Sequence, residues 1–209
     1  MHELTVLLTI IATLTIGVVS PGPSFLMVAR VAVASSRSHG LATALGMGVG
    51  GAVFGAAALL GLHGIFNAVP ALYVGLKVLG GLYLCYLGYL IFRSARQPMA
   101  LTPHAAPVGS AASSFWLGFT TQISNPKTAI VYASVFAALL PPHFSLAFAA
   151  ALLLVVFVVE SGWYALVALV LSSSVPQRAY LSFKTWIDRT AGLVMFGLGL
   201  KLVSSATKP

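Results

Sequence analysis

Long apolar runs separated by short polar ones set the plan of this chain. The runs are Leu4–Ala34, Gly40–Phe66, Ala71–Phe92, Phe115–Leu140, Phe144–Leu171 and Trp186–Val203. A helix that crosses a membrane needs roughly 20 mostly apolar residues, so the pattern predicts an all-α integral membrane protein with six transmembrane helices. Two runs carry their own interruption. The first contains Ser20-Pro21-Gly22-Pro23-Ser24, and the fourth contains Ser124-Asn125-Pro126-Lys127. Proline removes a backbone donor and glycine loosens the chain, so Pro-Gly-Pro is a strong helix breaker. Asn125 suits a helix N-cap and Pro126 suits the first helical position after it. Helices 1 and 4 are therefore expected to break near mid-membrane and restart. Such a break is tolerated only where it is buried in protein or lines a cavity. A kink that merely shapes helix packing would leave the same local trace.

Composition sharpens the class. Hydrophobic residues make up 59% and charged residues 7% of the chain, against about 25% charged in an average soluble domain. The 11 Lys and Arg outnumber the 3 Asp and Glu. In a soluble protein that excess would suggest nucleic acid. Here it falls mainly in the loops after spans one, three and five, as the positive-inside rule expects of cytoplasmic loops. Both termini would then face outward. The lone Cys85 excludes a disulfide framework and a cysteine-based metal site. With no basic segment before it, Leu4–Val19 reads as a retained part of the first span.

The polar stretch Arg93–Ser114 divides the chain into repeat one (1–95), a cytoplasmic linker (96–113) and repeat two (114–209). Sliding the sequence by 104 positions lays Ser20-Pro21-Gly22-Pro23 on Ser124-Asn125-Pro126-Lys127. Sliding it by 111 lays Gly81-Leu82 on Gly192-Leu193 and Leu87-Gly88 on Leu198-Gly199. Three spans per half make the repeats inverted, and matching breaks in two inverted halves point to a binding site at the membrane midplane.

Glu160 is the one acid deep in a span. An acid there costs about 2.5–3.5 kcal/mol on insertion scales, which points to a proton or cation site or to an ion pair with Lys127 or Lys77. Asp188 sits near an interface and is the counterpart of Lys77 by the repeat alignment, which suggests a pair; a helix-start acid favoured by the dipole is the alternative. His63 and the tyrosines Tyr83, Tyr86 and Tyr89 suit interfaces as well as a cavity. Span two carries Gly46, Gly48, Gly50, Gly51 and Gly55, which fit a homodimer face or the repeat interface equally well. No spacing indicates a P-loop, a nucleophile–base pair or a metal site, and no cofactor is implied. A membrane enzyme lacks a catalytic constellation here. A non-transporting subunit would not need polar breaks at mid-depth. A metal-cation exporter would need several facing ligands.

Together, Ser-Pro-Gly-Pro, Asn125-Pro126-Lys127, Gly81-Leu82-Tyr83-Leu84 with Leu87-Gly88, and Glu160 resemble the LysE/RhtB amino-acid exporter family, nearest its threonine and homoserine-lactone efflux branch. The likeness extends to Leu59-Leu60-Gly61-Leu62-His63 and Trp186-Ile187-Asp188. It implies a multi-pass protein of the bacterial inner membrane that exports threonine, homoserine or similar small neutral amino acids, by proton antiport with alternating access. Ser24 stands where family members often carry an acidic or amide residue, which leaves the substrate open. The zwitterion's carboxylate would meet the helix starts at Ser20, Pro21, Gly22, Pro23 and Ser24 and at Asn125, Pro126 and Lys127. Its ammonium would meet Glu160, aided by Asn125, with Glu160 and Asp188 coupling the proton.

Overall fold

A computed structural model describes residues 2–19, 22–68, 70–97, 109–141, 143–172 and 174–206. Its described residues form α-helices: α1 (His2–Val19), α2 (Pro23–Ala34), α3 (Arg37–Ala68), α4 (Pro70–Ser94), α5 (Ala111–Ile123), α6 (Pro126–Leu139), α7 (Leu146–Leu171) and α8 (Ser174–Ala206). The interrupted runs are α1 with α2 and α5 with α6. By length and apolarity alone, residues Arg37–Gly61 and Leu146–Leu171 can each cross a membrane, and α1 with α2, bent by 57°, adds a third crossing if taken as one span. The halves of the fourth run are too short to count singly, which is the expected consequence of a helix cut near its middle.

The helix ends follow from local chemistry. Ser110, Asn125 and Ser145 cap α5, α6 and α7 by accepting hydrogen bonds from the backbone N–H groups of Ser113, Lys127 and Phe148. Proline opens α2, α4 and α6, where its missing N–H costs nothing. One boundary departs from the sequence reading. The basic stretch before Trp186 is helical, so α8 starts at Ser174. Lys184 and Asp188, four residues apart, form an ion pair of 2.7 Å along it, which a loop would not align.

Packing is closest where glycines meet. A side chain at Gly81 would run into the backbone of Gly199, and one at Gly199 into that of Gly81; Gly88 and Gly192 stand in the same relation. The low-numbered residue of each helix faces the high-numbered residue of the other, so α4 and α8 cross antiparallel, backbone to backbone. The glycines of α3 are used within the chain as well. Gly46 and Gly50 abut α5, while Gly48, Gly51 and Gly55 abut α7. These five glycines pack α3 against α5 and α7 within the chain.

Two apolar clusters form the core. One joins α1, α4, α6, α7 and α8 through Ile10, Leu84, Phe136, Leu152 and Met195. The other joins α2, α3 and α7 through Phe25, Val28, Met47 and Ala168. Along α7, Glu160 falls one turn from Val156 of the first and one turn from Tyr164 of the second. The clusters thus leave a polar layer between them.

The α4–α8 crossing gives a direct test. A methyl group at Gly192 or Gly199 would sit 2.7 Å and 2.5 Å from the carbonyl oxygens of Gly88 and Gly81. Gly192→Ala and Gly199→Ala are each expected to cost about 1–3 kcal/mol of overpacking strain. Gly197, in the same helix, faces open space, so Gly197→Ala should be neutral or gain up to about 1 kcal/mol. Thermal unfolding in detergent separates the three variants, and equal midpoints would refute this account of the crossing.

Candidate functional site

The site is assembled where the two interrupted runs meet. Helix α6 starts at Asn125, whose side-chain oxygen accepts from the Lys127 N–H at 3.0 Å. Helix α2 starts at extended Gly22, which supplies no side-chain cap. A Cβ on Gly22 would lie 3.3 Å from Lys127 Cδ and 3.5 Å from its Nζ, so the lysine of one break lies against the glycine of the other. Glycine at this position lets the lysine stem approach closely. The two positive helix ends and the Lys127 ammonium therefore share one neighbourhood.

A line of hydrogen bonds ties both breaks to Glu160. The Asn125 amide Nδ2 donates to Ser24 Oγ at 2.8 Å. Ser24 Oγ donates to Gln122 Oε1 at 2.6 Å. Gln122 Nε2 donates to Glu160 Oε2 at 3.0 Å, and the Tyr132 hydroxyl donates to Glu160 Oε1 at 2.8 Å. Every donor in the line points toward Glu160, which a carboxylate, an acceptor only, requires. Glu160 is 1% exposed and Gln122 and Ser24 are equally hidden. The bonds replace part of the hydration a buried carboxylate loses.

Helix α3 supplies the floor. A Cβ at Gly50 would lie 2.8 Å from Gln122 Cβ, and one at Gly51 would lie 3.0–3.2 Å from Glu160 Cγ, Cδ and Oε1. Two adjacent glycines thus make room for the two side chains that meet at 3.0 Å.

The cleft above is lined by Gly22, Ser24, Asn125, Lys127, Glu160 and apolar or hydroxyl groups of α1, α6 and α7, among them Thr128, Tyr132 and Tyr164. It offers about 20 Å³ to the centre of a water-sized sphere, enough for roughly one water.

Of the residues expected from sequence, Gly22, Ser24, Asn125, Lys127 and Glu160 come together here, and Pro126 opens α6 beside them. Pro23 opens α2 and is exposed. Ser20 and Pro21 lie outside the described residues, as do the side chains of His63 and Lys77. Asn125 serves as cap and brace, with its oxygen on Lys127 and its amide on Ser24, rather than as an open ammonium ligand. Asp188 is not part of the cleft lining. Its Oδ2 accepts from Lys184, and Lys184 Nζ and Thr185 Oγ1 both donate to the Ala95 carbonyl at 3.3 Å, fastening α8 to the end of α4. Asp188 Oδ1 is buried with no partner among the described residues. Tyr86 and Tyr89 are exposed and take no part in the cleft. The tyrosines that do, Tyr132 and Tyr164, were missed, and so was Gln122. A signal existed: Tyr164 is one helical turn from Glu160 and shares its face.

Among the described residues no three of His, Cys, Asp and Glu gather.

The chain matches the LysE type translocator family over residues 15–206. It is 33% identical to the threonine efflux protein of Escherichia coli over 204 residues, covering 97% of this chain and 99% of that protein. It is also 33% identical to the threonine efflux protein of Salmonella typhi over 193 residues, covering 91% and 93%. An uncharacterized membrane protein of Haemophilus influenzae is 31% identical over 206 residues, covering 94% of this chain and 95% of that one. No solved structure matches significantly. The family match runs over nearly the whole chain, a range within which both helix breaks and Glu160 fall, and the chain belongs to the LysE type translocator family.

Proposed function

We propose that this protein exports small neutral amino acids, threonine among them, by exchanging each for a proton at Glu160. The observation that carries the proposal is the buried hydrogen-bond line from both helix breaks to that carboxylate. An amino acid brings one negative and one positive group, and the cleft offers complements for both. Lys127 and the uncapped start of α2 suit the carboxylate. Glu160 suits the ammonium.

Glu160 can hold a proton or an ammonium, and holding one excludes the other. The hydrogen bonds offset only part of the cost of burying the bare carboxylate, which favours exchange over an empty return. The bonding favours Oε1 as the oxygen that takes the proton. The NH₂ group of Gln122 cannot accept a hydrogen bond, whereas the Tyr132 hydroxyl can donate or accept. The neutral acid therefore carries its proton on Oε1 and donates to Tyr132, whose hydroxyl reverses. One proton moving inward down 100 mV contributes about 2.3 kcal/mol, or roughly fifty-fold accumulation. We place Asp188 on the proton's path, with its unpartnered Oδ1 as the receiving atom.

We further propose six spans arranged as two inverted three-helix repeats that rock about the site to alternate access. Reciprocal glycine contacts between α4 and α8 support this pairing of repeats. So does the packing of α1 against α7 and of α5 against α3.

Proteoliposomes loaded with labelled threonine test the function. The unmodified protein is expected to accelerate release when the proton gradient points inward across the export direction. Glu160→Gln keeps the shape and the neutral charge of the protonated state; release driven by the gradient should drop at least about a hundredfold. Full gradient-driven release by Glu160→Gln would refute the role given to this residue.

The glycine floor yields a second expectation. Gly51→Ala pushes on the Glu160 carboxylate and should lower the transport rate roughly tenfold or more. Glu160→Asp, one methylene shorter, should by itself impair transport but restore part of it when combined with Gly51→Ala. A double variant worse than either single one would mean that Gly51 serves packing alone.

A further inference from the structure

We infer that the seam between α1 and α6 holds a second amino-acid subsite, centred on Lys201, through which substrate leaves the central cleft; the inference rests on the transport reading above. The two clefts lie along one seam. The central one is lined on α1 by Leu14, Gly17 and Val18 and on α6 by Lys127, Thr128 and Val131. The next is lined by Thr9 and Thr13 on α1, Val135 and Leu139 on α6, Leu84 on α4 and Lys201 on α8. From Val131 to Val135 to Leu139 is one helical turn each, about 5.4 Å apart along the axis. Thr13 and Thr9 step back along α1 in the same direction. The start of α1, the end of α6 and the end of α8 thus share one face of the molecule, and the charge pattern of the loops makes that face the outer one, against the pull of Lys201 and Lys208 themselves.

The second cleft is the roomier, with about 70 Å³ for the centre of a water-sized sphere against about 20 Å³ in the central one. Its chemistry suits the same zwitterion. The hydroxyls of Thr9 and Thr13 donate at 2.8 Å to the carbonyls of Thr5 and Thr9 one turn back. With their protons committed to the helix, they offer only lone pairs, which accept from an ammonium. Lys201 supplies the charge for the carboxylate. Leu84, Val135 and Leu139 form an aliphatic wall that suits a small side chain and repels larger polar ones. The Lys201 ammonium would serve a lipid phosphate equally well, since lysines near helix ends reach toward headgroups, so the test must separate the two sources of anion.

Threonine exchange is measured from each face of the membrane, in vesicles of neutral lipid and in vesicles with added anionic lipid. In neutral vesicles, Lys201→Gln should raise the half-saturating threonine concentration at the outer face roughly tenfold. Thr9→Val with Thr13→Val should raise it several-fold. At the inner face both should stay within about twofold of the unmodified protein, and Lys201→Arg should behave as unmodified at both faces. Equal shifts at the two faces, or no shift, would overturn the subsite. A shift confined to anionic vesicles would assign Lys201 to lipid headgroups and overturn it as well. If the unmodified protein exchanges no threonine in any arm, the transport reading itself fails and the subsite fails with it; normal exchange without the asymmetry sinks the subsite alone.

Discussion

One buried carboxylate constrains the rest of this molecule. Glu160 sits in the middle of the most apolar helix, with almost none of its surface open, where an isolated charge would be prohibitively expensive. The fold answers with directed donors. Gln122 and Tyr132 each give a hydrogen to one oxygen, and Ser24 and Asn125 orient Gln122 from behind. Removing any donor would leave a polar atom buried and unmatched, which costs more than the bond itself is worth. The network therefore holds α2, α5, α6 and α7 in one register, and Ser24, Gln122 and Asn125 in it stand at helix breaks.

The breaks in turn depend on close backbone approach. A broken membrane helix leaves polar backbone that must be covered by protein. Coverage requires helices nearer than side chains ordinarily allow. Gly22 lets the Lys127 stem pass, Gly50 and Gly51 admit Gln122 and Glu160, and the α4–α8 glycines let those two helices touch. Small residues at membrane helix contacts usually serve packing alone. Here the pair on α3 also sets where the Gln122 and Glu160 side chains lie.

How far the sequence foretold this differs by residue, for physical reasons. The two breaks were legible because proline, glycine and asparagine act on their own backbone whatever the surroundings. Glu160 was legible because an acid in a valine-rich span has few uses. The meeting of Gly81 with Gly199 and of Gly88 with Gly192 was half visible, as a repeated dipeptide 111 positions apart, but a repeat does not say which copy faces which. Gln122, Tyr132 and Tyr164 were not singled out, since amides and phenols are at home at interfaces and only the rotation of α5, α6 and α7 turns these three inward. The early start of α8 was hidden by its charges, which read as loop until the four-residue spacing of Lys184 and Asp188 is taken as helical.

The size of the central cleft adds a dynamic requirement. Room for about one water cannot hold an amino acid, several times larger, so the lining must separate before substrate enters. The lining contains two kinds of contact. Those on α7 are fixed by the packing of Gly51 of α3 behind Glu160 and by the bonds to that carboxylate. Those across the cleft lie between the start of α2 and Lys127 of α6, where Gly22 sits against the lysine stem, and Glu160 lines the same cleft. On the proposed reading, a substrate carboxylate between the helix starts and the Lys127 ammonium would add an attraction to both sides of the cleft. A substrate bound in that way would favour the closed arrangement, which would tie closure of the site to its occupancy rather than leave it to chance motion. This is how differential binding to two conformations would drive alternation.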